Sequence, residues 1–460
     1  MTRLASSEYC GVTMSVLLPL IESSDGHYAE GPESSMESDQ MLDLLAAEKA
    51  LTAKNLGHAD CLAARFLKGN PASAAGWNLC AKIALAAGLP EMAKQFCGVA
   101  LGIDRYFKVA SKNMQAAEKM PSRPALKMPS YLLIREWGAG FWSDVDHVLG
   151  QLLIAEITGR VPVVYWGPSS RFRVPAVGGN AWDACFEPVS GTGLPPGDPA
   201  MFPPETFFPI RFAAGGWERP IGRERWEGPE SRQSGVELLA RTERVVVGDF
   251  HNSVLLMSRW IPAAHPWHGF SLHGLYRAIV DKYLRPAPGV VEKVNAWRAA
   301  NLAGQPAVAV HVRVSDKPRE LPEILEVQER FPGLIAEALA AMPDVKVFLM
   351  TDSQLAFAEF GKMFPGKVVG TACARTDLGV GLHFQKEHEP AQLAQEVMLD
   401  AYIALGCDRL IGAAGSNVAC MIARMKDWPE GACNLLGESV QEILHEALYF
   451  MEPPNTYVGV

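Results

Sequence analysis

Residues 307–317 read Ala307-Val308-Ala309-Val310-His311-Val312-Arg313-Val314-Ser315-Asp316-Lys317. An apolar, β-branched run that ends abruptly in His, Arg, Asp and Lys predicts a buried strand delivering polar groups at its C-terminal end, the place where open α/β sheets bind ligands. Downstream the texture alternates. A helix near 331–342 leads to a strand over 345–350 that is closed by Thr351-Asp352, and a helix near 353–363 precedes a short strand over 367–370. After a polar loop (371–389) come a helix near 390–405, a strand over 408–412, a helix opened by Gly415-Ser416-Asn417 and running to about 425, a strand near 433–436 and a helix near 437–450. This repeated strand-then-helix order predicts a parallel, doubly wound sheet.

Working upstream, Tyr131–Arg135 reads as a short strand, followed by the loop Gly138-Ala139-Gly140-Phe141. Val145, Val148, Leu149, Leu152, Leu153 and Ile157 then mark one face of a helix ending at Thr158-Gly159, and 161–166 is the next strand. Together they predict one right-handed βαβ unit. Residues 167–235 are rich in Gly, Pro, Trp and Arg without periodicity, as acceptor-binding loops or as decoration. A strand over 244–250 and helices over 270–301 complete this part, so α/β domains are expected over 128–300 and 301–460.

The first 36 residues mix Ser, Glu, Gly and Pro and are expected to form a mobile tail. Over 37–120 a small all-α block is expected. Trp77, Ala81, Gly88, Ala93 and Ala100 stand at the offsets of a tetratricopeptide repeat, and a degenerate copy with helices near 41–54 and 58–68 precedes it. Two repeats rarely stand alone, so the block should lean on the next domain, either as a groove for a protein partner or as a packing module. The polar stretch 108–130, with Pro121, Pro124 and Pro129, reads as a linker.

Composition narrows the classes. With 48% hydrophobic and 20% charged residues, the 460-residue chain is of ordinary globular type. A formal charge of -9 argues against nucleic-acid binding, which needs clustered Lys and Arg. Nine scattered cysteines without a C-x-x-C pair suit reduced core thiols. The apolar piece Val16–Ile21 is too short and broken for a signal peptide or membrane span. A cytoplasmic protein is expected.

Three strand ends carry polar groups: His311 to Lys317, Thr351-Asp352, and Gly412 to Asn417. A parallel sheet brings them to one edge. Small residues at a helix N-terminus favour an anion, and Arg313 adds a planar fork for phosphate oxygens, so a diphosphate fits; alternatively Gly415-Ser416 is a strand-to-helix turn with a capping serine. Asp144-Val145-Asp146 spells a D-x-D, but acidic residues opening a helix are also favoured by capping and the helix dipole. His265, His268 and His273 lack partners at metal spacing, and His147 is a structural histidine or a substrate contact.

Taken in order, these pieces resemble the α1,6-fucosyltransferases, the group with the N-glycan core and rhizobial nodulation enzymes, to which the protein O-fucosyltransferases are more distantly related. His311-Val312-Arg313-Val314-Ser315-Asp316-Lys317 matches that family's H-V-R-R-T-D-K except at two places, the second arginine being Val314 here. Asp400-Ala401-Tyr402 through Ala413–Val418, Met350-Thr351-Asp352, Gly138–Phe141 with His147-Val148, and Asn180–Ser190 are similar to further family segments. The resemblance spans roughly 131–450. It implies a GT-B-like fold of two Rossmann-like domains that transfers fucose or a related sugar from a GDP-sugar to a hydroxyl of a glycan or protein acceptor, with inversion and without metal or cofactor. Carried over, Arg313 holds the β-phosphate, with Asp316 and Lys317 beside it. His311 and Asp400 lie near the nucleoside, Asp400 on the guanine edge. Asp352, Gly415, Ser416 and Asn417 line the donor pocket, and Gly138, Gly140, Phe141 and His147 approach from the other domain. The family's base is a Glu after the Lys, for which the chain offers Glu320, one position off, and Glu323. The alternative is a nucleotide-binding scaffold that has lost turnover.

Overall fold

The computed structural model describes residues 38–450 apart from 122–123, 127–128, 175–178, 192–201, 223–224, 229 and 445–448; the expected tail over 1–36 lies outside them. The chain divides into two compact units, Met1–Leu42 and Asp43–Val460. Beyond the opening turns of helix α1 (Ser38–Thr52), everything below belongs to the second.

Helices α2 (Leu56–Gly69), α3 (Ala74–Ala86) and α4 (Pro90–Ile103) follow α1. Asn55 caps α2 by accepting from the His58 amide, and Ser73 caps α3 by accepting from that of Gly76. Gly88 turns the chain at φ +74°, a left-handed conformation that glycine adopts without strain. Ala59, Ala81, Ala93 and Ala100 are fully buried. The block does lean on the α/β part. Asp60 of α2 accepts from Trp260 Nε1 at 3.1 Å and from Arg259, whose Nη2 also donates to the Asp60 carbonyl, and Phe96 meets Trp260 edge-on at 5.0 Å. The structure departs from the linker expected over 108–130: Lys108–Lys119 is helix α5. Ala110 and Ala117, two turns apart, are buried on one face of α5, and the prolines begin only after it.

Two parallel sheets make up the rest. Strands β1 (Tyr131–Arg135), β2 (Val161–Tyr165), β3 (Phe207–Phe208) and β4 (Val245–Gly248) form the first, in the order β2-β1-β4-β3. Strands β5 (Ala307–Val312), β6 (Lys346–Thr351), β7 (Val368–Val369), β8 (Arg409–Ala413) and β9 (Cys433–Leu436) form the second, in the order β7-β6-β5-β8-β9. The stretch Ala307–Val312 is thus the central strand, and it is buried on both faces. Ala307 and Ala309 join one hydrophobic core, while Val308, Val310 and Val312 join another. β3 arises in the aperiodic region where no strand was expected. The helix expected near 437–450 is revised at its start, where Val440–Glu442 is a 3-10 turn; residues 445–448 lie outside the described residues, and Tyr449 and Phe450 are helical.

Helix α6 (Phe141–Thr158) lies hard against the first sheet because two glycines let it. A Cβ on Gly150 would stand 1.7 Å from the Asn252 carbonyl oxygen, and one on Gly248 would stand 2.4 Å from Gln151 Oε1. In the second half, Gly412 plays this part for helix α7 (Asn417–Arg424), since its Cβ would lie 2.7 Å from that of Ala419. The Gly412 contact draws the N-terminal turn of α7 to the end of β8. No helix among the described residues is long and apolar enough to cross a membrane.

Candidate functional site

The ends of β5, β6 and β8 and the glycine loop after β1 open onto one cleft of about 480 Å³. Arg313 lines it. A reciprocal amide clamp sets its backbone: the Arg313 N–H donates to Gln328 Oε1 at 2.7 Å, and Gln328 Nε2 donates to the Arg313 carbonyl at 3.1 Å. Its guanidinium forks between two carboxylates, donating to Asp352 Oδ2 at 2.6 Å and to Asp316. Asp352 further accepts from the Val314 N–H at 3.0 Å and from the backbone and hydroxyl of Ser315. Burial works against the Asp316 carboxylate, but Arg313 and the Ser315 hydroxyl outweigh it and hold it below the usual range.

Two neighbours are shifted by burial. His311 is pushed down to about 4 by burial and then by Arg313, so its imidazole is neutral at physiological pH, and its Nδ1 is a buried atom with no hydrogen-bond partner. Asp400 is pushed up to about 7, chiefly by burial, although Thr371 donates to it at 2.6 Å. Asp316, Lys317, Glu320, Asp352, Ser416 and Asn417 line the cleft as well. Lys317 reaches Glu320 at 2.8 Å, on a carboxylate still 55% exposed. Glu323 does not line the cleft, nor does Gly415, whose missing side chain instead makes room for Leu321, 2.2 Å from where a Cβ would be.

The other wall is Trp137–Ser143, with Gly138, Gly140 and Phe141 all at the surface of the cleft. The Gly138 amide, however, faces inward. It donates to Asp144 Oδ1 at 3.0 Å, and the Ala139 amide donates to the same oxygen at 2.9 Å. The D-x-D carboxylates are therefore engaged within their own half: Asp144 by these amides, Asp146 by Tyr276 Oη at 2.7 Å. His147 is fully buried beneath the loop with Nε2 3.1 Å from the Arg135 carbonyl, and does not reach the cleft; burial keeps it neutral. Of the other histidines singled out, His268 bonds the Ile261 carbonyl and His273 bonds Asp427.

Solved fucosyltransferases are similar to this chain. NodZ alpha-1,6-fucosyltransferase co-crystallized with GDP is 20% identical, with 64% of this chain and 92% of that chain covered at a TM-score of 0.41. The fucosyltransferase NodZ from Bradyrhizobium is 20% identical, covering 62% and 89% at 0.39. POFUT1 in complex with GDP is 15% identical, covering 68% and 100% at 0.42. Neither a family model nor a curated protein matches the chain. In the chain itself, the two parallel α/β halves sharing a cleft agree with the GT-B-like architecture expected from the motifs.

Sequence reasoning missed several residues in and around the cleft. Gln328, which clamps the Arg313 backbone without lining the cleft, sits on a short helix with no motif. His383 and Phe384 lie in the polar loop 371–389, and Arg171 in the aperiodic stretch after β2. The abundance of Arg and Trp in 167–235 was the available signal for Arg171, but composition without spacing names no particular residue.

Proposed function

We propose that the cleft binds a GDP-sugar, fucose or a relative, and transfers the sugar with inversion to a hydroxyl of a glycan or protein acceptor, without a metal ion. The observation that carries this is Arg313: a guanidinium at the C-terminal end of the central parallel strand, held in a fixed fork and open to a cleft shared by both α/β halves. In the step proposed, the acceptor oxygen forms a bond to the anomeric carbon as the carbon–phosphate oxygen bond breaks, and the electron pair leaves with GDP. Arg313 and the N-terminus of α7 stabilise that leaving charge. The acceptor proton passes to a carboxylate, and of the two candidates Glu320 is the one at the cleft. Titration with GDP, followed by assays of GDP-fucose hydrolysis and transfer over a panel of acceptors, tests the proposal. Binding with neither hydrolysis nor transfer would favour the scaffold reading.

Two further outcomes are expected. Because Asp144 and Asp146 are engaged by backbone amides and a tyrosine, EDTA should leave turnover unchanged; loss of activity that Mn²⁺ restores would overturn the metal-free mechanism. The second concerns pH. An ionised Asp400 can accept from both donors of the guanine edge, whereas the protonated acid cannot. With its carboxyl at about 7 in the empty cleft, GDP affinity should rise as pH climbs from 6 toward 8, by at most about tenfold per pH unit below that value and level above it. Calorimetry on Asp400→Asn should show this slope removed, leaving only the ionisation of the nucleotide's own phosphate. An unchanged slope would exclude Asp400 from the base site.

A further inference from the structure

Lysine and arginine side chains reach the cleft at three places: Arg171, Arg313 and Lys317. Six carboxylates line it: Asp146, Asp316, Glu320, Asp352, Glu396 and Asp400. A diphosphate entering such a cleft meets more negative than positive formal charge, so the cations that count are those not already neutralised. Arg313 is shared between Asp316 and Asp352, and Lys317 is paired with Glu320. Arg171 makes no salt bridge with any described residue. The glycine loop, expected from the motif resemblance to approach the donor from the other domain, has turned two of its amides onto Asp144.

Arg171 is nevertheless held in place. Its Nε donates to the Gly138 carbonyl at 2.7 Å, and its guanidinium lies over the Phe384 ring at 4.4 Å from the centroid. A guanidinium stacked by its face keeps its edge for hydrogen bonding, and the two terminal nitrogens of Arg171 donate to no described residue. The stack also joins the two halves, since Arg171 follows β2 and Phe384 belongs to the loop before the helix Pro390–Leu405. His383, next to Phe384, is pushed down to about 4 by burial, then by Arg313, with Arg171 adding to the effect, so guanidiniums of both halves act on one imidazole. Asp144 acts on Arg171 through space, while burial lowers its affinity for its proton without threatening its charge.

Resting on the nucleotide-sugar proposal above, we propose that Arg171 supplies the second cation for the diphosphate, from the opposite wall, in a chain that carries Val314 where the resembling family has its second arginine. Arg313 then fixes where the leaving group sits, and Arg171 provides the charge that its two carboxylates have taken from it. The contact also closes the cleft: an anion bridging Arg171 and Arg313 ties the two halves together at the reacting end.

The test compares GDP with GMP, which lacks the β-phosphate, by calorimetry on the full chain. Arg171→Gln is expected to lower GDP affinity about 10- to 100-fold, the usual weight of a charge-assisted contact, and to change GMP affinity less than about threefold. Arg171→Lys keeps the charge and an aliphatic stem over Phe384, and should retain most of the preference for GDP. A parallel loss for both nucleotides in either variant, or no loss of GDP in Arg171→Gln, would overturn the proposal and leave Arg171 a structural strut. If Arg171→Gln melts early, the GDP-to-GMP ratio of Arg171→Lys decides alone: a ratio near that of the wild type supports a charge contact, and a collapsed ratio refutes it. Failure of the unaltered chain to bind GDP at all would instead remove the nucleotide-sugar site itself, and this inference with it.

Discussion

On the proposed function, replacing Arg313 by Ala is expected to lower GDP-sugar turnover by about 10²- to 10³-fold, the usual consequence of removing one preorganised group that stabilises a developing oxyanion. The effect should fall on the chemical step as well as on binding, because the same change leaves Asp316 and Asp352 facing the diphosphate without the cation between them. The fold should survive. Asp352 keeps the Val314 and Ser315 amides and the Ser315 hydroxyl as donors, and the Gln328 clamp acts on the backbone of residue 313, which the substitution leaves in place. Arg313→Lys should recover little, since an ammonium cannot span both carboxylates and a phosphate oxygen in one plane. Steady-state turnover beside a thermal melt decides it: unchanged turnover in a folded Arg313→Ala would sink the proposed site.

Asp60→Ala is expected to destabilise the protein by about 3–5 kcal/mol, the usual cost of removing one member of a buried ion pair. Arg259 is buried, and burial lowers its pKa, a pull that Asp60 overcomes; without Asp60 its charge remains in a dry interface. Trp260 Nε1 would lose its acceptor at the same time. Asp60→Asn should cost less, because an amide oxygen still accepts. Asp43→Ala provides the contrast: its partner Arg65 is 43% exposed, so the loss should stay below about 1 kcal/mol. Urea unfolding of the three variants measures the difference. Equal losses for Asp60→Ala and Asp43→Ala would mean that the helical block is not anchored through this pair.

How much of this was legible beforehand follows from the range of the forces involved. β5, β6, β8 and the longer helices between them, Phe331–Ala341, Gln354–Met363 and Pro390–Leu405, were placed within a residue or two, because a strand buried on both faces must be apolar throughout and a packed helix must repeat its apolar face; the short helices Lys317–Glu320 and Ile324–Gln328 were not foreseen. α5 was read as a linker because only two alanines mark its buried side, and small residues give a weak periodic signal. The last expected helix, over 437–450, departs at its start, where an apolar pattern was present but Val440–Glu442 is a 3-10 turn.

Within the site, sequence alone determined which chemical groups stand at the ends of the parallel strands: His311, Arg313, Asp352 and Ser416, together with the glycine loop that faces them. Strand direction and the alternation of side chains suffice for that, since both are local. Tertiary structure decided which of those groups are already spent. The charge of Arg313 is divided between Asp316 and Asp352, the amides of Gly138 and Ala139 are turned onto Asp144, and His147 is sealed under its loop. It also brought Arg171 from an aperiodic stretch to Phe384, 213 positions further along the chain. Such pairings depend on distances between residues far apart in sequence, and no periodicity encodes them.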